Sequence, residues 1–138
     1  MPAIHDILET CLYVDDLSAA RTFYADVLGL SLTSETDGRH LFFRCGNRML
    51  LLFNPKVTAD VQDGPDIAPA HGATGAGHIA FSIEPRGLEK WRDRLESMGV
   101  EIEKEIEWGD LGRSLYFRDP AGNSLEVTVP AIWGIDQP

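Results

Sequence analysis

The chain has 138 residues, of which 43% are hydrophobic and 25% charged, the make-up of an ordinary globular protein of one compact domain or two small packed halves. Twenty-two acidic against 12 basic residues give a formal net charge of -10, which argues against nucleic acid and anionic membrane surfaces as partners, since both are polyanions. No apolar run is long enough to span a bilayer. MPAIHDILET at the start carries neither the basic n-region nor the apolar h-region of a signal peptide, so a cytoplasmic location is expected.

Ile7–Val14 is a β-rich run. Leu17–Leu28 has helical spacing, with Leu17, Ala20, Phe23, Tyr24, Val27 and Leu28 forming an apolar stripe, Asp16 or Ser18 placed to cap it and Gly29 to end it. Leu30–Ser34, His40–Cys45 and Met49–Phe53 follow as strands, with Gly38 and the Gly46-Asn47 pair at the turns. From Asn54 to Gly77 the composition shifts to proline and glycine with little periodicity, as in a linker or covering loop. His71, in this stretch, reads as a solvated loop histidine. The pattern then restarts. Gly77–Ile83 is a strand, and Leu88–Met98 is a helix with Leu88, Trp91, Leu95 and Met98 on one face. Val100–Trp108, Arg113–Arg118 and Ser124–Val129 are strands, the last two joined by the turn DPAGN. Cys11 and Cys45 are too few and too far apart for a disulfide framework or a CxxC site and read as reduced apolar fillers.

The order of elements repeats with a period of roughly 70 residues. LFFRCGN (Leu41–Asn47) overlays LYFRDPAGN (Leu115–Asn123), and ETCLYV takes the place of HIAFSI, which sets Glu9 opposite His78. The expected fold is α+β: two tandem βαβββ modules (7–54 and 77–130, linker 55–76) in a single domain, forming a curved mixed sheet with an open concave face for a ligand or metal.

Strand residues two apart share a face. Alternation turns Thr10, Leu12 and Val14 toward the helix and Glu9, Cys11 and Tyr13 away. It does the same for Ile79, Phe81 and Ile83 against His78, Ala80 and Ser82, and for Leu125, Val127 and Val129 against Ser124, Glu126 and Thr128. In the fourth strand the outward set is read as Arg48, Leu50 and Leu52. Glu9, His78 and Glu126 thus fall on faces turned from the helices. A carboxylate that a fold buries needs a partner or neutralises, so the residues leave two readings: Glu9 and Glu126 as solvated strand residues with His78 a semi-buried histidine, or all three facing a metal, Glu9 pairing with Arg48 or Arg44 if no metal binds. Arg113 is expected to brace a turn or a carboxylate.

The stretches LYVDDLSAARTFYADVLGL, GHIAFSI and RSLYFRDPAGNSLEV resemble the vicinal oxygen chelate superfamily, which holds glyoxalase I, bleomycin resistance proteins, fosfomycin resistance thiol transferases, methylmalonyl-CoA epimerase and extradiol dioxygenases. The resemblance runs from about Ile7 to Pro130. It implies one divalent metal per site, Mn, Fe, Ni, Zn or Mg, on the open sheet face. By position the ligands are Glu9, His78 and Glu126, with Leu50 at a fourth place that glyoxalase I fills with a proton-moving glutamate. Glu126 would be a ligand and a catalytic base, and Tyr116, Ser114, His40 and Phe42 would line the cavity as substrate contacts. The resemblance further implies a homodimer whose sites are completed by module edges from two chains, acting on a small molecule with adjacent oxygens as a lyase, isomerase, thiol transferase or dioxygenase. A metal-free, drug-sequestering protein like the bleomycin resistance proteins is the alternative, and the acidic charge suits it. An extradiol ring-cleaving enzyme is a weaker third.

Overall fold

The computed structural model describes residues 1–136. Two compact units divide the chain after Gly75, and each holds one copy of the repeat. The first runs β1 (Glu9–Tyr13), α1 (Leu17–Thr22), β2 (Ser31–Thr36), β3 (His40–Cys45), β4 (Arg48–Phe53) and α2 (Pro55–Thr58); the second runs β5 (His78–Ser82), α3 (Leu88–Ser97), β6 (Lys104–Glu107), β7 (Arg113–Arg118) and β8 (Ser124–Thr128). Each unit is a four-stranded mixed sheet, ordered β1-β4-β3-β2 in one and β5-β8-β7-β6 in the other. The first strand runs parallel to the last in both, and the other pairs are antiparallel. This is the expected βαβββ duplication, realised as two four-stranded sheets.

Helix α1 starts where Asp16 Oδ1 accepts the Ala19 amide at 3.0 Å, and the chain continues as a π-helical turn over Phe23–Val27. The Leu28 amide there reaches back to the Phe23 carbonyl. The wider turn lets Phe23, Tyr24, Val27 and Leu28 all bury against the sheet, with Tyr24 fully enclosed. Gly29, at φ 72, ends it. In the second unit Leu88 and Leu95 are the buried stripe of α3. On its other side Arg113 donates to Glu105 at 3.0 Å and to Glu89 at 3.2 Å, while Arg92 bridges the same two carboxylates. Arg113 is therefore the brace that its position implied.

Strand β4 corrects the alternation read from sequence. Thr10 pairs with Leu50 and Leu12 with Leu52, and Leu50 and Leu52 lie buried under the helix at 1% and 0% exposure. Met49, Leu51 and Phe53, the partners of Glu9, Cys11 and Tyr13, form the outward set. Five consecutive apolar residues in RMLLLF hide the period of two. The register also moves the fourth ligand place. Cys11 opposite Leu51 repeats Ala80 opposite Glu126, so Leu51, not Leu50, occupies the position of Glu126 in the first unit.

The proline- and glycine-rich stretch is fastened down at His71. Its amide bonds the Thr58 carbonyl at 2.9 Å, its Nδ1 shares a 2.7 Å hydrogen bond with the Tyr13 hydroxyl, and its ring meets Phe53 edge-on at 4.6 Å. The solvated-loop reading of His71 is therefore corrected: the segment covers the Tyr13 end of the sheet.

The DPAGN turn is a polar clasp. Asp119, 5% exposed, accepts from the Ala121 and Asn123 amides at 2.9 Å and from Asn123 Nδ2 at 3.0 Å. The Asn123 side-chain oxygen in turn accepts the Gly77 amide at 2.8 Å, which seats β5 beside β8 one residue before His78. Replacing Asn123 with Ala removes the Nδ2 donor to Asp119 and the oxygen that accepts the Gly77 amide. We expect Asn123→Ala to lose about 1–3 kcal/mol of stability in urea unfolding, with amide exchange quickened in β5 ahead of α3.

Candidate metal centre

The outward face of the second sheet carries His78 from β5, Glu126 from β8, and Ser114 and Tyr116 from β7. Glu126 is the cross-strand partner of both Ala80 and Tyr116, so the parallel and antiparallel registers together fix where its carboxylate emerges. It is 5% exposed, and a carboxylate so enclosed depends on its partners. One is the Ser114 hydroxyl, which donates to Oε2 in a short hydrogen bond. A second neighbour is the Tyr116 phenol, its cross-strand partner. The third is His78, whose Nε2 lies 3.3 Å from Oε1.

The tautomer of His78 follows from its other nitrogen. Nδ1 sits 2.9 Å from the Ser124 carbonyl, which only accepts, so Nδ1 carries a proton. In the neutral ring Nε2 is then a bare lone pair, and it faces a carboxylate oxygen. Two acceptors at that distance repel unless a proton or a metal ion sits with them. Two ligand atoms each about 2.0–2.2 Å from one divalent ion, at tetrahedral or octahedral angles, stand about 3.0–3.5 Å apart. The pair meets that spacing, and its imidazole is oriented by a carbonyl and its carboxylate by a hydroxyl, as metal ligands usually are. The spacing of the pair is compatible with two ligands of one divalent ion.

Ser114 is fully buried, so its hydroxyl lies under Glu126. It receives the Trp108 indole N–H at 2.8 Å and touches the Thr128 hydroxyl at 2.9 Å, and Thr128 in turn donates to the Arg113 carbonyl at 3.1 Å. Trp108 and Thr128 were absent from the site expected from sequence, although Thr128 lies in the outward set with Glu126. The even-numbered period of β6 would have found Trp108, because Lys104 pairs with Tyr116 and Ile106 with Ser114.

In the first unit Glu9 lies exposed on β1 opposite Met49. The arginine pairing considered for it is not formed: Arg48 is engaged with Asp6 and Arg44 with the Gly46 carbonyl and Asn47. His40 is buried, stacks on Phe42 at 4.0 Å and accepts a hydrogen bond from Arg39 at Nδ1; burial and then the Arg39 charge press its pKa down. Among the described residues no three His, Cys, Asp or Glu side chains gather closely enough to hold a metal. The second unit brings His78 and Glu126 together. No helix among the described residues is long and apolar enough to cross a membrane.

Burial, then the charge of Glu126, then the hydrogen bond to it push the Tyr116 phenol above its usual 10.0, partly opposed by Ser114. The phenol stays protonated and donating through neutral pH. Because the folded state holds this proton more tightly, the stability linked to it is present below pH 10 and is lost as pH rises through the folded-state ionisation. In an ultraviolet phenolate titration, Glu126→Gln should bring the Tyr116 transition to lower pH, identified by its loss in Tyr116→Phe. An unmoved transition would mean that Glu126 exerts no field on it.

Residues 6–127 match the family model of the Glyoxalase/Bleomycin resistance protein/Dioxygenase superfamily. The crystal structure of a lactoylglutathione lyase from Agrobacterium tumefaciens superposes with a TM-score of 0.91 at 40% identity, covering 97% of this chain and 100% of that one. The glutathione transferase FosA of Serratia marcescens is 29% identical over 88% of this chain and 78% of its own length. The metallothiol transferase FosB of Staphylococcus saprophyticus is 30% identical over 90% of this chain and 76% of its own. The chain belongs to the glyoxalase/bleomycin resistance protein/dioxygenase superfamily.

Proposed function

We propose that the chain is a divalent-metal-dependent enzyme acting on a small molecule with adjacent oxygen atoms, and that its metal ligands are His78, Glu126 and Glu9. The observation that carries this reading is Nε2 of His78 facing Oε1 of Glu126 at 3.3 Å, with Nδ1 turned to the Ser124 carbonyl. One imidazole and two carboxylates suit Mn, Fe, Zn or Mg. A divalent ion there supplies Lewis acidity toward a substrate oxygen. The side chains do the rest. With Oε2 of Glu126 engaged by Ser114, Oε1 is the oxygen that would hold the ion, and Tyr116, protonated beside Glu126, would contact the substrate. His40 and Phe42 remain candidates for substrate contact from the first unit.

Leu51, at the register position of Glu126, offers neither ligand nor base. This disfavours the proton relocation of glyoxalase I and favours chemistry in which a thiol attacks or leaves. Two of the similar proteins are named for such transfer, a glutathione transferase and a metallothiol transferase, whereas the lactoylglutathione lyase is named for the glyoxalase I reaction. Glu9 lies on the outward face of its own sheet, at the position matching His78, and a homodimer in which each copy lends Glu9 to the other's His78 and Glu126 completes the ligand set.

Metal analysis by mass spectrometry on anaerobically purified protein tests the reading. We expect about one divalent ion per chain, lost in His78→Ala and Glu126→Ala variants that keep the wild-type circular dichroism. Sedimentation should give twice the 15.3 kDa chain mass, and Glu9→Ala should weaken metal retention. A wild type that takes up none of Mn²⁺, Fe²⁺, Ni²⁺ or Zn²⁺ would overturn the metal reading and leave the drug-binding role.

A further inference from the structure

We infer that Trp108 is a positioning residue for the metal centre: its indole N–H sets the direction of the Ser114 hydroxyl and, through it, the orientation of the Glu126 carboxylate. The inference rests on the metal reading above and assigns a function to a side chain outside the ligand set.

Proton counting gives the direction. The indole N–H only donates, so at 2.8 Å it occupies a lone pair of Ser114 Oγ. Ser114 has one proton and two oxygens within reach, Glu126 Oε2 and Thr128 Oγ1. The Thr128 proton has its own acceptor in the Arg113 carbonyl at 3.1 Å. A carboxylate is the stronger acceptor, so the order is Trp108 to Ser114 to Glu126. Ser114 is fully buried within the chain, where water does not reach to replace a lost donor. Without the indole N–H, the hydroxyl is free to turn, and the Thr128 hydroxyl is the nearest group to compete for it. The carboxylate then loses its fixed Oε2 and the single free Oε1 that faces His78.

Two features argue that this contact is more than core packing. Trp108 is 40% exposed, so its ring is not enclosed as a core aromatic would be. Its backbone is nonetheless pinned. Trp108 opens the β6–β7 hairpin, where its amide bonds the Gly112 carbonyl at 2.8 Å and its carbonyl accepts the Leu111 amide at 3.2 Å. Gly112 has φ 147, and a Cβ there would lie 2.6 Å from Val129 Cγ2, so the hairpin is seated against the chain just after β8. An exposed indole on an anchored turn, aimed at a buried hydroxyl under a carboxylate, is suited to aligning that carboxylate.

The test compares wild type, Trp108→Phe, which keeps an aromatic ring and removes the N–H, Ser114→Ala and the double variant. Mn²⁺ dissociation constants are read by electron paramagnetic resonance and stability by urea unfolding. Trp108→Phe should weaken Mn²⁺ binding about 10-fold while its unfolding midpoint stays close to wild type. The double variant should bind no more weakly than Ser114→Ala alone, because both residues act through one hydroxyl. In the metal-free protein, Glu126→Gln should shift the Trp108 indole N–H resonance although the two side chains are linked only through Ser114. Wild-type Mn²⁺ affinity in Trp108→Phe, additive losses in the double variant, or an unmoved indole resonance would each overturn the inference while leaving the metal reading intact. A wild type that binds no Mn²⁺ would overturn both.

Discussion

Nε2 of His78 and Oε1 of Glu126 face one another at 3.3 Å, and in the neutral imidazole no proton lies between them because the ring's single proton is on Nδ1, beside the Ser124 carbonyl. Two lone pairs held in that position are unfavourable by themselves. The backbone holds them there through the parallel β5–β8 register, which sets His78 against Ser124 and Ala80 against Glu126. A cation relieves the repulsion, and the surrounding groups are arranged for one. The free carboxylate oxygen is aimed at the imidazole, while the other is tied to a hydroxyl that the chain has buried.

The turn chemistry of the second unit serves this pair. Asp119 and Asn123 form a closed set of hydrogen bonds that reaches Gly77 and so places the start of β5. The β6–β7 hairpin delivers Trp108 to Ser114. The sequence RDPAGNSLEV therefore does two jobs in ten residues. Its first half builds a rigid corner, and its second carries the carboxylate that the corner positions. The first unit has the same strand order and a different face. Its β3–β4 turn is the two-residue Gly46-Asn47, its counterpart of Glu126 is Leu51, and the Tyr13 end of its sheet is covered by Phe53 and His71. Duplication gave two similar frames, and only the second carries a paired imidazole and carboxylate.

Much of this was legible in the residues. The repeat, the order of elements along the chain and the outward placement of His78 and Glu126 followed from periodicities and turn residues, because alternating polar and apolar residues declare a strand's faces. Where alternation vanished, so did the signal. The apolar run of β4 gave the wrong face to Leu50, and the register with β1, a long-range property, was needed to identify Leu51. His71 sits in a stretch without period, and its fastening depends on Tyr13 and Phe53, far away in sequence. Trp108 reads as the end of a strand, and only the β6–β7 register shows that it shares a face with Ser114.

The central proposal is that Nε2 of His78, 3.3 Å from Oε1 of Glu126, is a metal ligand. Long-range ¹H–¹⁵N correlation spectroscopy of the histidine ring, in metal-free protein at mildly alkaline pH and after adding Zn²⁺, tests it most directly. The account predicts a proton on Nδ1 and a bare Nε2, with the Nε2 resonance alone moving strongly when Zn²⁺ is added. A ring that carries its proton on Nε2 and is unchanged by Zn²⁺ would contradict it.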